Sequence, residues 1–136
     1  MKRLVPPVVL LALLTSSVVV AEEWAQEMFK KSSHNFGTIA RAAKAEYEFT
    51  FQNVYAEDVH VTSVRTSCGC TSVWVKDKKQ TLKSWETGTL VAHINSDKFL
   101  GTKGATITVT FDKPYYAEAR LQVRTYIRDD VVLNPG

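Results

Sequence analysis

An all-β sandwich of seven short antiparallel strands is the fold this sequence predicts, on three observations. Apolar and polar residues alternate with a period of two through much of residues 45–123. Turn-forming clusters at residues 53–58, 68–71, 86–88, 96–104 and 112–115 break the alternation at short intervals. No helical stretch long enough to join parallel strands lies between them. The chain has 136 residues, 45% apolar and 23% charged. That is the composition of one ordinary globular domain and excludes disordered, collagen-like and multi-span membrane classes.

The first 21 residues predict a segment outside the fold. Lys2 and Arg3 precede an apolar run from Leu4 to Val20, and Val19 and Ala21 are small or β-branched at the −3 and −1 positions. This is the pattern of a secretory signal peptide cleaved after Ala21. Pro6, Pro7, Thr15, Ser16 and Ser17 interrupt the run, which suits a membrane span poorly. Residues 22–33 follow as a short amphipathic helix and lead-in of about three turns. In it Trp24, Met28 and Phe29 are expected to pack against the sandwich.

Residues 34–129 form the predicted sandwich. Phe36 and Ile39 around Gly37 read as an edge strand with a bulge or bend at the glycine. Residues 45–53 carry the clearest alternation, with Tyr47, Phe49 and Phe51 on one face and Glu46, Glu48 and Thr50 on the other. Val59 with Val61 and Val73 with Val75 add two strands, and the spacing of Val61 and Val64 places a bulge or strand end near Ser63. Leu90, Ala92 and Ile94, then Ala105 to Phe111, then Ala117 to Val123 supply the last three. The predicted core is Tyr47, Phe49, Phe51, Val61, Ile94, Ile107, Val109, Phe111, Leu121 and Val123. Residues 130–136 read as a linker towards a further unit.

In order along the chain, Phe36-Gly37, Phe49-Thr50-Phe51-Gln52-Asn53 and Ser67-Cys68-Gly69-Cys70-Thr71 resemble the bacterial domain of unknown function 1573 family. That family is similar to the Hydin-type immunoglobulin-like domains. The resemblance covers roughly residues 35–128 and is most specific in the Ser-Cys-Gly-Cys-Thr motif. It departs where members carry Pro-Gly-Glu, around Trp85-Glu86-Thr87. It implies an immunoglobulin-like seven-stranded antiparallel β-sandwich in exported bacterial proteins, often with several such units, and it implies no reaction. Modules of this kind bind other proteins, a fold-level analogy.

Cys68 and Cys70 are the two cysteines of the chain, and three readings of them compete. They form a disulfide, strained and readily reduced because one intervening residue closes a small ring. They serve as a dithiolate for Cu(I), which favours thiolate ligands, whereas tetrahedral zinc needs four ligands. Or they are small residues packed in a tight turn.

A cysteine nucleophile needs a base and a group to orient it. His60 and His93 alternate with apolar positions and are expected to face solvent, while His34 precedes the first strand. Glu46, Glu48, Glu118, Asp58, Asp97 and Asp112 are scattered over strand faces and turns, with no acid/base pair. There is no phosphate-cradling glycine loop and no HExxH helix. No catalytic residue, cofactor or resident metal is therefore expected.

Arg120, Arg124 and Arg128 stripe one face of the last strand, which reads as a solvated face rather than an anion-binding strip. Trp74, Trp85, Tyr115 and Tyr116 fall near turns, and single exposed aromatics of this kind do not predict sugar binding. The net charge of +3 includes Lys2 and Arg3. Without them it falls to a level that attracts neither nucleic acid nor an anionic membrane. The expected function is a non-enzymatic, exported interaction or spacer module of the bacterial envelope, periplasmic or extracellular, with other envelope or extracellular proteins as partners. The alternative is a thiol redox or Cu(I)-handling domain using Cys68 and Cys70.

Overall fold

The computed structural model describes Arg3 and residues 23–129. Apart from Arg3, the predicted signal peptide lies outside the described residues, and so does the predicted linker at 130–136. The described chain runs α1 (Glu23–Glu27), β1 (Ser33–Ala40), β2 (Glu46–Gln52), β3 (Val59–Thr66) and β4 (Thr71–Val75). A 3-10 turn at Lys76–Lys78 leads to β5 (Thr81–Leu82), β6 (Thr87–Ile94), β7 (Gly101–Lys113) and β8 (Ala117–Arg128). Two sheets face each other, one ordered β1-β8-β7-β3-β5 and the other β2-β6-β4.

Alternation puts every second residue of a strand on the inner face. Phe49 and Phe51 of β2 and Leu90, Ala92 and Ile94 of β6 meet Val59 and Val61 of β3, Ile107, Val109 and Phe111 of β7, and Leu121 and Val123 of β8, all buried. Each large aliphatic side chain removed from water this way contributes about 1.5–3 kcal/mol. Together they hold the sheets face to face. The predicted core residues are buried except Tyr47, which is half-buried at the edge with its ring stacked 3.7 Å from that of His34.

The sandwich and its N-terminal helix match the expectation, and several details differ. Among the described residues there are eight strands, because the two-residue β5 pairs with β3 through Val59–Leu82 and His60–Thr81. One pair is parallel: β1 runs alongside β8 from Ser33–Gln122 to Ala40–Arg128. A parallel pair needs a long crossover, and here the rest of the domain supplies it. β7 begins at Gly101, inside the predicted 96–104 turn, where Gly101 takes φ +81°. His34 lies within β1 rather than before it. Helix α1 has five residues instead of three turns, because Phe29 leaves it to bridge Phe51 and the Met28 carbonyl accepts the Gln52 N–H at 3.1 Å. The expected irregularities are present, one between Asn35 and Thr38 around Gly37 (φ +70°) and one between Val61 and Ser63.

Candidate functional site

The cysteine motif is the corner at which the chain changes sheets. β3 belongs to the five-stranded sheet and β4 to the three-stranded one, so residues 67–70 make the crossing. The Cys68 and Cys70 Cα atoms are 5.2 Å apart, within the span a disulfide bridges, and their sulfur atoms face each other within bonding reach. Cys70 is buried and Cys68 half-buried. The Cys70 N–H donates to Cys68 Sγ at 3.1 Å, and the Thr71 N–H donates to the Cys68 carbonyl at 3.2 Å.

Asn95, just past β6 in the three-stranded sheet, pins the corner from the strand beside β4. Its Nδ2 donates to the Gly69 carbonyl at 2.8 Å and its backbone N–H to the Cys70 carbonyl at 2.8 Å. The sequence marks Asn95 as no more than a residue beside a turn; only the pairing of β4 with β6 brings it here. Phe99 packs at 3.8 Å over the position a Gly69 side chain would take.

The histidines are engaged elsewhere. His34 stacks on Tyr47, and burial followed by the charge of Lys31 lowers its pKa. His60 Nδ1 lies 2.7 Å from Thr81 Oγ1, and His93 Nδ1 lies 3.5 Å from Glu46 Oε1. Among the described residues, no three His, Cys, Asp or Glu side chains converge as metal ligands.

Of the arginine stripe, Arg120 lies 3.3 Å from Glu118, which Arg65 approaches equally closely from β3. The Tyr116 hydroxyl also donates to Glu118, and this bond first, then the two guanidinium charges, holds its carboxyl below the usual range. Arg124 and Arg128 are exposed on the same face.

At the end of the sandwich reached by the 53–58, 83–86 and 113–116 loops, aromatic rings stand in solvent. Trp85 is 67% exposed, Tyr115 58% and Tyr116 60%. Trp85 sits at φ +68°, a left-handed conformation that costs a bulky residue roughly 1–2 kcal/mol. Buried Asn53 imposes it. The Asn53 carbonyl accepts the Trp85 N–H at 2.7 Å, and Asn53 Nδ2 donates to the Glu57 and Leu82 carbonyls.

Beneath this end lies a wedge of rings, with Trp24 centred 5.4 Å from Tyr115, 5.8 Å from Tyr55 and 5.6 Å from Phe111. The Tyr55 hydroxyl donates to the Trp24 carbonyl at 2.8 Å, and burial, then Glu27, raises its pKa. Trp74 is exposed separately, on the outer face of the three-stranded sheet.

The profile of a family described as "Protein of unknown function (DUF1573)" matches residues 28–127. No curated protein matches the chain. Among solved structures, the Vibrio cholerae VesB protease aligns with a TM-score of 0.62 at 16% identity, over 76% of this chain and 34% of that one. The ASH/PapD-like domain of human CEP192 aligns with a TM-score of 0.58 at 12% identity, over 75% of this chain and 84% of that domain. The Escherichia coli chaperone DraB aligns with a TM-score of 0.54 at 10% identity, over 73% and 54%. The chain thus spans about a third of the length of the protease. At these identities the likeness is one of fold, a PapD-like, immunoglobulin-type sandwich.

Proposed function

From the premise that the chain belongs to the DUF1573 family, we propose that it is a non-enzymatic, exported protein-interaction module of the bacterial envelope that docks partners on its aromatic end. One observation carries this reading: Trp85 is held in a left-handed conformation with its ring largely in water. A buried ring would offset that conformational cost by packing, and this one contributes little burial. Strain of this kind concentrates at functional positions. Tryptophan and tyrosine are also the side chains that dominate protein interfaces, and Tyr115 and Tyr116 stand at the same end. Chaperone and PapD-like domains share the fold, which is consistent with a binding role.

The discriminating variant is Trp85→Gly. Glycine adopts positive φ freely, so the variant is expected to match or exceed the wild type in stability, by up to about 1 kcal/mol. A photoreactive residue at Tyr116 should give discrete adducts with an envelope protein in cells, and Trp85→Gly should remove them. Adducts that are absent, or unchanged in the variant, would count against the reading. Export has its own test. The full chain should be processed after Ala21 and recovered outside the cytoplasm, and cytoplasmic retention of the unprocessed chain would refute it.

Thiol exchange at the corner is the second reading. It is favoured by the half-buried Cys68 sulfur, which accepts the Cys70 N–H, a contact that stabilises a thiolate.

A further inference from the structure

The outer face of the five-stranded sheet has a bare patch. Gly104 occupies an outward position of β7, and a Cβ built there meets only the Val123 carbonyl oxygen within 4 Å, at 3.5 Å. Polar side chains surround the gap. Gly104 pairs with Arg124 on β8, which pairs with Asn35 on β1; one step along, Thr106 pairs with Gln122, and Gln122 with Ser33. Ser67 closes the remaining side, its Oγ accepting the Thr106 N–H at 2.9 Å. The result is a depression of about 490 Å³ lined by these residues together with His34, Ala105 and Val123.

Its charge is unbalanced. Glu118, the acid on this face of β8, is committed to Arg65, Arg120 and Tyr116. Arg124 has no carboxylate partner among the described residues. Tyr126 stands two residues on, on the same face and half exposed.

We propose that this depression binds a carboxylate-bearing saccharide. The Arg124 guanidinium supplies the planar fork that fits a carboxylate. Ser33, Thr106 and Gln122 supply neutral donors and acceptors for sugar hydroxyls, and the Tyr126 ring offers a stacking surface at the rim. An acidic peptide fits less well. β8, which carries Arg124, is hydrogen-bonded on both sides, to β1 and β7, so the free strand edge on this side of the sheet belongs to β1, one strand away from Arg124, and most of the residues lining the depression are polar. The site lies near the start of β7, whereas Tyr115 follows that strand's end. The inference is therefore independent of the docking role given to Trp85.

The test titrates the isotope-labelled chain with a glucuronate-terminated disaccharide and follows backbone amide shifts. Saturable shifts are expected at Gly104, Thr106, Gln122 and Arg124, and the glucose-terminated counterpart should bind at least about tenfold more weakly. Arg124→Ala should weaken binding by about tenfold or more, while Arg120→Ala, beside Glu118, should stay within about twofold. Gly104→Val should block the site in a chain that still folds, because the space is open and valine favours strands. Unchanged binding by Gly104→Val, or no saturable shift in the wild type, overturns the site. Equal or tighter binding of triglutamate overturns the saccharide assignment.

Discussion

Gly88 has no room for a methyl group. A Cβ there would stand 2.7 Å from Phe51 Cζ and 3.2 Å from Leu82 Cδ1, and both neighbours are fully buried. The Phe51 ring covers the glycine directly opposite it in the β2–β6 register. Gly88→Ala must displace that ring or the strand, and is expected to lower the unfolding free energy by about 1–3 kcal/mol. A denaturant midpoint equal to that of the wild type would show the ring has slack.

Glu118 makes a pH prediction with a definite sign. Its side chain is 10% exposed, and the Tyr116 hydroxyl, then Arg65 and Arg120, depress its pKa in the folded state. A depressed carboxyl stabilises the fold above its unfolded pKa, and that contribution disappears as the pH falls through the folded one. Melting temperature should therefore drop on acidification below the ordinary carboxylate range, and Glu118→Gln should show a smaller drop. Parallel pH profiles for the two proteins would refute this. Neither residue's role was legible beforehand, since Gly88 reads as punctuation and Glu118 as one more polar alternate. Their importance lies in cross-strand partners that a single strand's pattern does not encode.

At the scale of elements, period-two alternation made seven strands legible, because each has one face on the core. β5 was invisible: two residues have no period, and what holds it is the backbone of β3. The parallel placing of β1 was equally hidden, since alternation reports a face and not a direction. The N-terminal segment was read correctly as packed but too long as a helix. Phe29 stacks 4.9 Å from Phe51, and Met28 and Ala25 are buried with it. Removing residues 22–32 should therefore lower the melting temperature and expose apolar surface that binds a hydrophobic dye; a deletion variant as stable and soluble as the whole chain would mean the segment only rests on the surface.

The corner element gives a sharper prediction. Its backbone is held by Asn95 from the end of the neighbouring strand β6, so its shape does not depend on a covalent link between the sulfurs. If Cys68 and Cys70 form a disulfide, one of the three readings of the sequence, non-reduced protein should resist alkylation until treated with a dithiol. The double Cys→Ser variant should lose little stability, because so short a loop constrains the unfolded chain weakly. Free thiols in protein purified from an oxidising compartment would remove the disulfide, and a large stability loss in the variant would show that the pair serves the fold.

For the whole molecule, the question is whether two sheets and an N-terminal segment behave as one cooperative unit. Phe111 is the residue that asks it. Fully buried on β7, its ring lies 6.2 Å from that of Phe51 in the opposite sheet and 5.6 Å from that of Trp24 in α1. Phe111→Ala removes contacts to all three bodies at once and is expected to cost about 3–5 kcal/mol, the range for a buried aromatic. Trp24 reports on the segment and on the wedge of rings, Trp74 on the three-stranded sheet, and circular dichroism on the strands of both. If the core is shared, fluorescence and dichroism transitions coincide in the wild type, and in the variant they shift together to lower denaturant. A fluorescence change preceding the loss of strand signal would show that the segment unfolds on its own. Phe111 would then be the keystone of the sandwich alone.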